Sequence, residues 1–158
     1  MAGEGISRRL AEVQRKIGQL ENVVTNDVGR FNKALAEIVR LKTEEEALLI
    51  VKKVVIDAYA RIVDRTPVDT GRARASWQFG INTEPQGKVP EGDYRSQISG
   101  IVAETVSEIE AAPAAVWFIA NNLDYIEALE AGWSKQAPAG MVSLTLREIT
   151  RQLEGVKI

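Results

Sequence analysis

The 158 residues include no cysteine and no histidine. Without cysteine the chain has no disulfides, no thiolate zinc sites and no cysteine nucleophile. Without histidine it lacks the commonest general base and the commonest transition-metal ligand. Serine–histidine and cysteine–histidine catalysis are therefore impossible within this chain. We expect a protein that is not an enzyme, with no catalytic residues, no metal site and no cofactor.

Two further features are missing: a strong charge of one sign and a long apolar run. The 20 basic residues nearly balance the 22 acidic ones, so no basic field is available to hold nucleic acid nonspecifically. No apolar stretch approaches the roughly 20 residues of a membrane span. Met1 to Leu10 has two arginines but no apolar run after them, so we predict no secretory signal and folding in a reducing cytoplasm.

The N-terminal segment has a helical pattern of apolar residues spaced by steps of three and four. These residues are Ile6, Leu10, Val13, Ile17, Leu20, Val24, Val28, Phe31, Leu35 and Ile38. The spacing predicts an amphipathic helical arm over residues 1–42, with a bend or break near Thr25–Gly29. Two interpretations stay open: the arm packs on its own domain, or it packs against a neighbouring subunit.

A second helix is predicted from Thr43, because Thr43 and Glu46 have the spacing of a capping box. An apolar stripe follows from Leu48 to Val63, and Pro67 should stop the helix near Arg65. The breadth of that stripe predicts the central core helix.

Residues 68–71 are typical of a turn, in which Asp69 accepts backbone hydrogen bonds and Gly71 tolerates positive φ. From Ala73 to Ile81, apolar and polar residues alternate, which predicts a half-buried strand. The stretch from Asn82 to Asp93 is rich in glycine, proline and charge and should be a surface loop.

The C-terminal half should alternate between helix and strand. The pattern predicts a helix from Tyr94 to Glu110, a buried strand over Val116–Ile119, and a short helix capped by Asp124 and ended by Gly132. Pro138 should open the first turn of a final helix. We therefore predict an α+β fold: a core helix and C-terminal helices packed on a small β-sheet over residues 43–158, preceded by the arm.

The tripeptide Asp69–Gly71 matches the Asp-Thr-Gly of aspartic proteases. That chemistry needs two carboxylates sharing a proton, so this chain would have to dimerise. No apolar strand runs into Asp69, and Arg72 and Arg74 would favour an ionised carboxylate. The tripeptide is better explained as a turn, and an aspartic-type hydrolase is the weaker alternative.

Two stretches resemble the tail-completion (neck) protein family of long-tailed bacteriophages. The first is Thr66–Trp77, TPVDTGRARASW, and the second is Asn121–Val142, NNLDYIEALEAGWSKQAPAGMV. The resemblance extends over roughly Thr43 to Glu154. It implies a structural protein of the virion head–tail junction, assembled in the host bacterial cytoplasm.

By this resemblance the chain would form a homo-oligomeric ring, six-fold or a multiple. Head-completion or connector proteins would lie on one side and tail terminator or tail tube proteins on the other. DNA would pass through the lumen without sequence-specific binding, and no membrane would be involved. The matched positions give candidate turn or interface residues: Asp69, Gly71, Arg72, Arg74, Trp77, Asn122, Tyr125, Gly132, Trp133, Lys135, Gln136 and Gly140.

A second functional hypothesis remains from the residues alone. The apolar seam from Ile6 to Ile38 would also suit an oligomeric adaptor or binding module that dimerises through its N-terminal helix.

Overall fold

A computed structural model describes residues 26–156. Within that range, the chain forms six α-helices and one two-stranded sheet, which confirms the predicted α+β class. The elements are α1 (26–39), α2 (Glu44–Arg65), α3 (Arg72–Ala75), β1 (Gln78–Ile81), α4 (Ile98–Ala111), β2 (Trp117–Ala120), α5 (Ile126–Glu130) and α6 (Val142–Glu154). None of the helices described is long and apolar enough to cross a membrane.

Helix α2 begins and ends where the sequence predicts. Thr43 accepts a hydrogen bond from the backbone of Glu46, and the Glu46 side chain accepts one from the backbone of Thr43, so the capping box is formed. Thr66 is extended, as expected for a residue before proline. The second half of α2 is the centre of the core, which contains Tyr59, Ile62, Val63, Trp77, Ile109, Ala137 and Met141. The first half of α2 is less covered.

The strand predicted over residues 73–81 is wrong in its first half. Residues Arg72–Ala75 form one helical turn, α3, and the strand begins only at Gln78. Gly71 enters this turn in a left-handed conformation, and the Ser76 hydroxyl donates to the carbonyl of Arg72. The conformation of Gly71 and the hydrogen bond of Ser76 favour the helical turn over an extended chain. The alanines fit the alternating pattern of a strand, but their small side chains fit a helical turn equally well.

Strands β1 and β2 pair antiparallel, with Phe79 opposite Ile119 and Ile81 opposite Trp117. The prediction of a buried strand over Val116–Ile119 is correct for the strand but wrong for its burial. All four residues of β2 are half-buried, and Val116 is 61% exposed. A sheet of two strands has only one face against the helices, so it cannot enclose a fully apolar strand.

Two helices start later than predicted. Helix α4 begins at Ile98 rather than Tyr94, because the backbone N–H of Tyr94 donates to the Thr70 carbonyl and holds residues 94–97 in turns. Helix α5 is not capped by Asp124, whose carboxylate pairs instead with Lys88 of the 82–93 loop.

The final helix also begins later than Pro138, at Val142. Gly140 precedes it with a positive φ of 80°, which a continuing right-handed helix cannot accommodate. Residues 134–140 therefore form a loop, and α6 takes its N-terminal partner from elsewhere in the chain.

Helix α1 packs on α6 of its own chain. Asp27 pairs with Arg147, and Arg30 pairs with Glu154. For the described part of the arm, this supports the interpretation of packing on its own domain. Of the segment Thr25–Gly29, where the sequence predicts a bend or break, Asn26–Gly29 is continuous helix, and Thr25 lies outside the described residues. The apolar positions from Ile6 to Val24 lie outside the described residues.

Candidate interaction site

The two stretches singled out in the sequence, Thr66–Trp77 and Asn121–Val142, are in direct contact. The side-chain amide of Gln136 brackets Val68: its oxygen accepts from the Val68 N–H at 2.9 Å and its nitrogen donates to the Val68 carbonyl at 3.1 Å. Asn121 adds a second link by donating to the carbonyl of Ala73 at 3.0 Å. Segments far apart in sequence thus form one continuous surface.

An open groove of about 740 Å³ lies between these two segments, and we call it the segment groove. One wall is formed by residues 67–73. The other wall is mostly apolar and contains Tyr125, Ala128, Leu129, Trp133, Ser134 and Gln136. Tyr125 is 41% exposed and Trp133 is 49% exposed, so large aromatic surface faces solvent here. Exposed aromatics beside a groove are typical of protein–protein anchors.

The charged side chains near this groove differ in their exposure and in whether they form hydrogen bonds or ion pairs with the rest of the chain. Arg72 Nε donates to the Val89 carbonyl at 2.9 Å, which ties it to the loop. Asp69 is exposed, unlike the buried dyad of an aspartic-type hydrolase. Lys135 is exposed, and no other residue in 26–156 gives it a hydrogen bond or ion pair.

Beside the groove, Asp93 and Arg95 form a close pair. Hydrogen bonds from Arg95 lower the pKa of Asp93 to about 2. The pKa of Arg95 is raised mainly by hydrogen bonding to Asp93, and the charge of Asp69 adds a smaller contribution.

The sequence predicts that Asp69 accepts backbone hydrogen bonds in the turn. In the structure Thr70 takes this role, since its Oγ1 accepts from the N–H of Arg72.

Three of the candidate residues are glycines that build the turns: Gly71, Gly132 and Gly140 have φ of 79°, 87° and 80°. At Gly132 a Cβ would lie 2.5 Å from the Pro138 carbonyl oxygen, and at Gly140 it would lie 2.6 Å from that of Glu130. No side chain fits at either position, so these two glycines set the path of the chain around the groove.

Four other candidates hold the surroundings of the groove together. Arg74 donates to the carbonyls of Thr66 and Asp64, so it closes the end of α2. Trp77 is buried, and its Nε1 donates to Thr66 Oγ1 at 2.8 Å. Asn122 donates to the carbonyls of Pro85 and Gly87 in the 82–93 loop. These residues, with Gln136, are supports, whereas Tyr125, Trp133, Lys135 and Asp69 face solvent.

Sequence reasoning missed two supporting residues. Thr66 is fully buried and links two elements, because its hydroxyl donates to the Ile62 carbonyl and accepts from Trp77. Glu130 is also buried, and its carboxylate accepts from the backbone N–H groups of Met141, Val142 and Ser143 at 2.8–2.9 Å. For Glu130 the sequence carries no direct signal, because only the structure shows that α6 begins at Val142 without a capping side chain of its own.

A second groove, of about 420 Å³, lies at the first half of α2, and we call it the α2–β2 groove. Its helix side is formed by Glu44, Ala47, Leu48 and Val51, and its other side by Ala114, Ala115 and Trp117. Leu48 and Val51 belong to the stripe that the sequence assigned to the core. In the structure they are only partly buried and line this open surface.

No group of three or more acidic side chains in residues 26–156 could hold a metal ion. Comparison of the chain with protein-family models, with curated proteins and with solved structures finds no significant match.

Proposed function

We propose that this chain is a structural, non-enzymatic protein of the bacteriophage neck. It forms a homo-oligomeric ring that joins the DNA-filled head to the tail and surrounds the DNA passage. Connector proteins of the head contact one side of the ring and the tail terminator or tail tube contacts the other. The observation that carries this proposal concerns the two segments that resemble the neck protein family, Thr66–Trp77 and Asn121–Val142. They fold into one surface, linked by Gln136 and Asn121.

The composition of that surface suits an assembly protein. Tyr125 and Trp133 offer aromatic area, and Lys135 adds an exposed charge beside it. Interfaces typically combine such anchors with a polar rim. The net charge of −2 also suits a DNA passage, since a strongly basic lumen would retain the DNA electrostatically.

The test is disruption of the gene in the phage that carries it, followed by electron microscopy of the lysate. We expect DNA-filled heads and unattached tails, with joined particles restored by the wild-type gene supplied in trans. A copy carrying an early stop codon is the matched control and should restore nothing. Normal infectious particles after disruption would contradict the neck role and would favour the adaptor hypothesis.

A further inference from the structure

We infer that copies of this chain associate head to tail. On one copy, the rim of the segment groove, formed by the side chains of Tyr125 and Trp133, would be seated in the α2–β2 groove of the next. The inference deepens the proposed function, since it names the two surfaces by which ring subunits would meet. It commits to a second copy of this chain as the occupant of the α2–β2 groove.

The positions of the two grooves are the first argument. The α2–β2 groove lies beside the first turns of α2, and the segment groove begins at Pro67, just past its end. At about 1.5 Å per residue, the stretch of helix from Leu48 to Arg65 is about 25 Å long. The two surfaces are therefore separated by a rigid element and lie at its opposite ends.

Two different surfaces at opposite ends favour a heterologous contact. A two-fold dimer that pairs one groove with the same groove of its partner would leave the second apolar surface uncovered, and one that pairs the two grooves reciprocally must fit both contacts at once across about 25 Å. In a head-to-tail arrangement, each copy uses both surfaces, and the chain of subunits closes into a ring if the rotation between neighbours permits. Exposed Tyr125 and Trp133 at one end and Leu48 and Val51 at the other are then both covered.

Charge complementarity is the second argument. Glu44 lines the α2–β2 groove, and Glu45 beside it is also exposed. At the other end, Lys135 is exposed next to Trp133, and Arg72 lines the wall of the groove. Asp69 also lies at that end, near the cation of Arg95. Lys135, which has no hydrogen-bond or ion-pair partner within residues 26–156, can thus approach the glutamates of a neighbouring copy.

The experiment mixes two variants of the full chain, each altered at one end. Trp133→Ala removes the rim anchor, and Leu48→Glu places a charge in the α2–β2 groove. By sedimentation velocity, we expect the wild type to associate and each variant alone to dissociate at least about tenfold more readily. An equimolar mixture should give a heterodimer, because each variant keeps the surface that the other lacks. Val156→Glu, at an exposed apolar site outside both grooves, is the matched control and should associate like the wild type.

A charge-reversal pair tests the same contact without altering apolar residues, in case an apolar variant fails to fold. Lys135→Glu alone should weaken association, and Glu44→Lys in the same chain should restore it. A wild type that stays monomeric at every concentration would overturn the head-to-tail contact, as would a mixture of the two end variants that forms no heterodimer. Neither result bears on the gene-disruption test, and normal particles in that test would leave this contact standing.

Discussion

Glu130 is an acidic side chain that the fold buries at the beginning of α6. Its two carboxylate oxygens accept from three consecutive backbone N–H groups, those of Met141, Val142 and Ser143. These N–H groups have no partner within the helix, and the positive end of the helix dipole favours a negative charge at this point. The buried carboxylate therefore takes the place of the Ser, Thr or Asp cap that α6 lacks.

Replacement of Glu130 by glutamine should destabilise the protein by about 2 kcal/mol or more. Glutamine keeps the size but has one acceptor oxygen, and its amide group would face backbone donors in a buried site. Glu127→Gln makes the same change at an exposed position of α5 and should stay within about 0.5 kcal/mol of the wild type. Urea unfolding of the two variants gives the comparison. Equal stability of the two would contradict the capping role of Glu130.

Between helices, Glu148 connects α6 to α2. Its Oε2 accepts from Arg61 Nη1 at 3.2 Å and from Arg65 Nη2 at 2.5 Å. Hydrogen bonding from Arg65 is the main cause that lowers the pKa of Glu148 below its ordinary value of 4.5, and Arg61 acts in the same direction. The folded state therefore stabilises the charged carboxylate of Glu148 relative to its protonated form.

The linkage between this pKa and stability gives a pH dependence. Because the folded pKa lies below the unfolded one, the stabilisation is fully present above about pH 4.5. It is lost as the pH falls through the lowered pKa of the folded state. Glu148→Gln should therefore lose less stability than the wild type between neutral and acid pH, by up to about 1 kcal/mol for a pair this exposed.

Thermal unfolding at several pH values measures this difference. Glu104→Gln, at an exposed position of α4, is the control and should keep the full wild-type pH dependence. If Glu148→Gln and Glu104→Gln showed the same pH profile, the link between α2 and α6 would not depend on the Glu148 charge.

Local signals predicted some elements well and others poorly. The capping box at Thr43 and the proline at position 67 set both ends of α2, since each acts through residues within one turn. The strand prediction based on the alternation from Ala73 to Ile81 is wrong in its first half. Gly71 and Ser76 favour a helical turn there, and the spacing of apolar residues does not reveal it. Asp124 failed as a cap because Lys88, distant in sequence, binds its carboxylate.

The candidate site was predictable in its residues but not in its geometry. Gly132 could be recognised as the stop of α5, because a positive φ after a short helix is a local property. The bracketing of Val68 by Gln136 could not be predicted, since it depends on how segments far apart in sequence pack together. The same holds for Leu48 and Val51, whose apolar character indicated a core while the fold leaves them at an open groove.

At the scale of the whole molecule, the packing of α1 on α6 joins the described part of the N-terminal segment to the rest of the chain. Two ion pairs contribute at this contact. The Asp27 side chain is only 11% exposed where it meets Arg147, whereas Arg30 and Glu154 are both well exposed. Burial weakens solvent screening, so the first pair should be the stronger of the two.

Double-mutant cycles can rank these two pairs. We expect a coupling free energy of about 1 kcal/mol for Asp27→Asn with Arg147→Gln, and less than about 0.5 kcal/mol for Arg30→Gln with Glu154→Gln. The exposed pair is the internal control, since it joins the same two helices. Equal coupling energies, measured by denaturant unfolding, would mean that Asp27 does not anchor the arm.

The antiparallel pairing of β1 with β2 has a consequence for the order of folding. The two strands are separated by the 82–93 loop and by α4, so their first contact must close a long segment of chain. Closing such a loop costs conformational entropy before any of the strand hydrogen bonds can form. Helices such as α2 need only contacts within one turn. We therefore expect the sheet to form late, after α2 and α4 have packed together and brought the strand ends into reach.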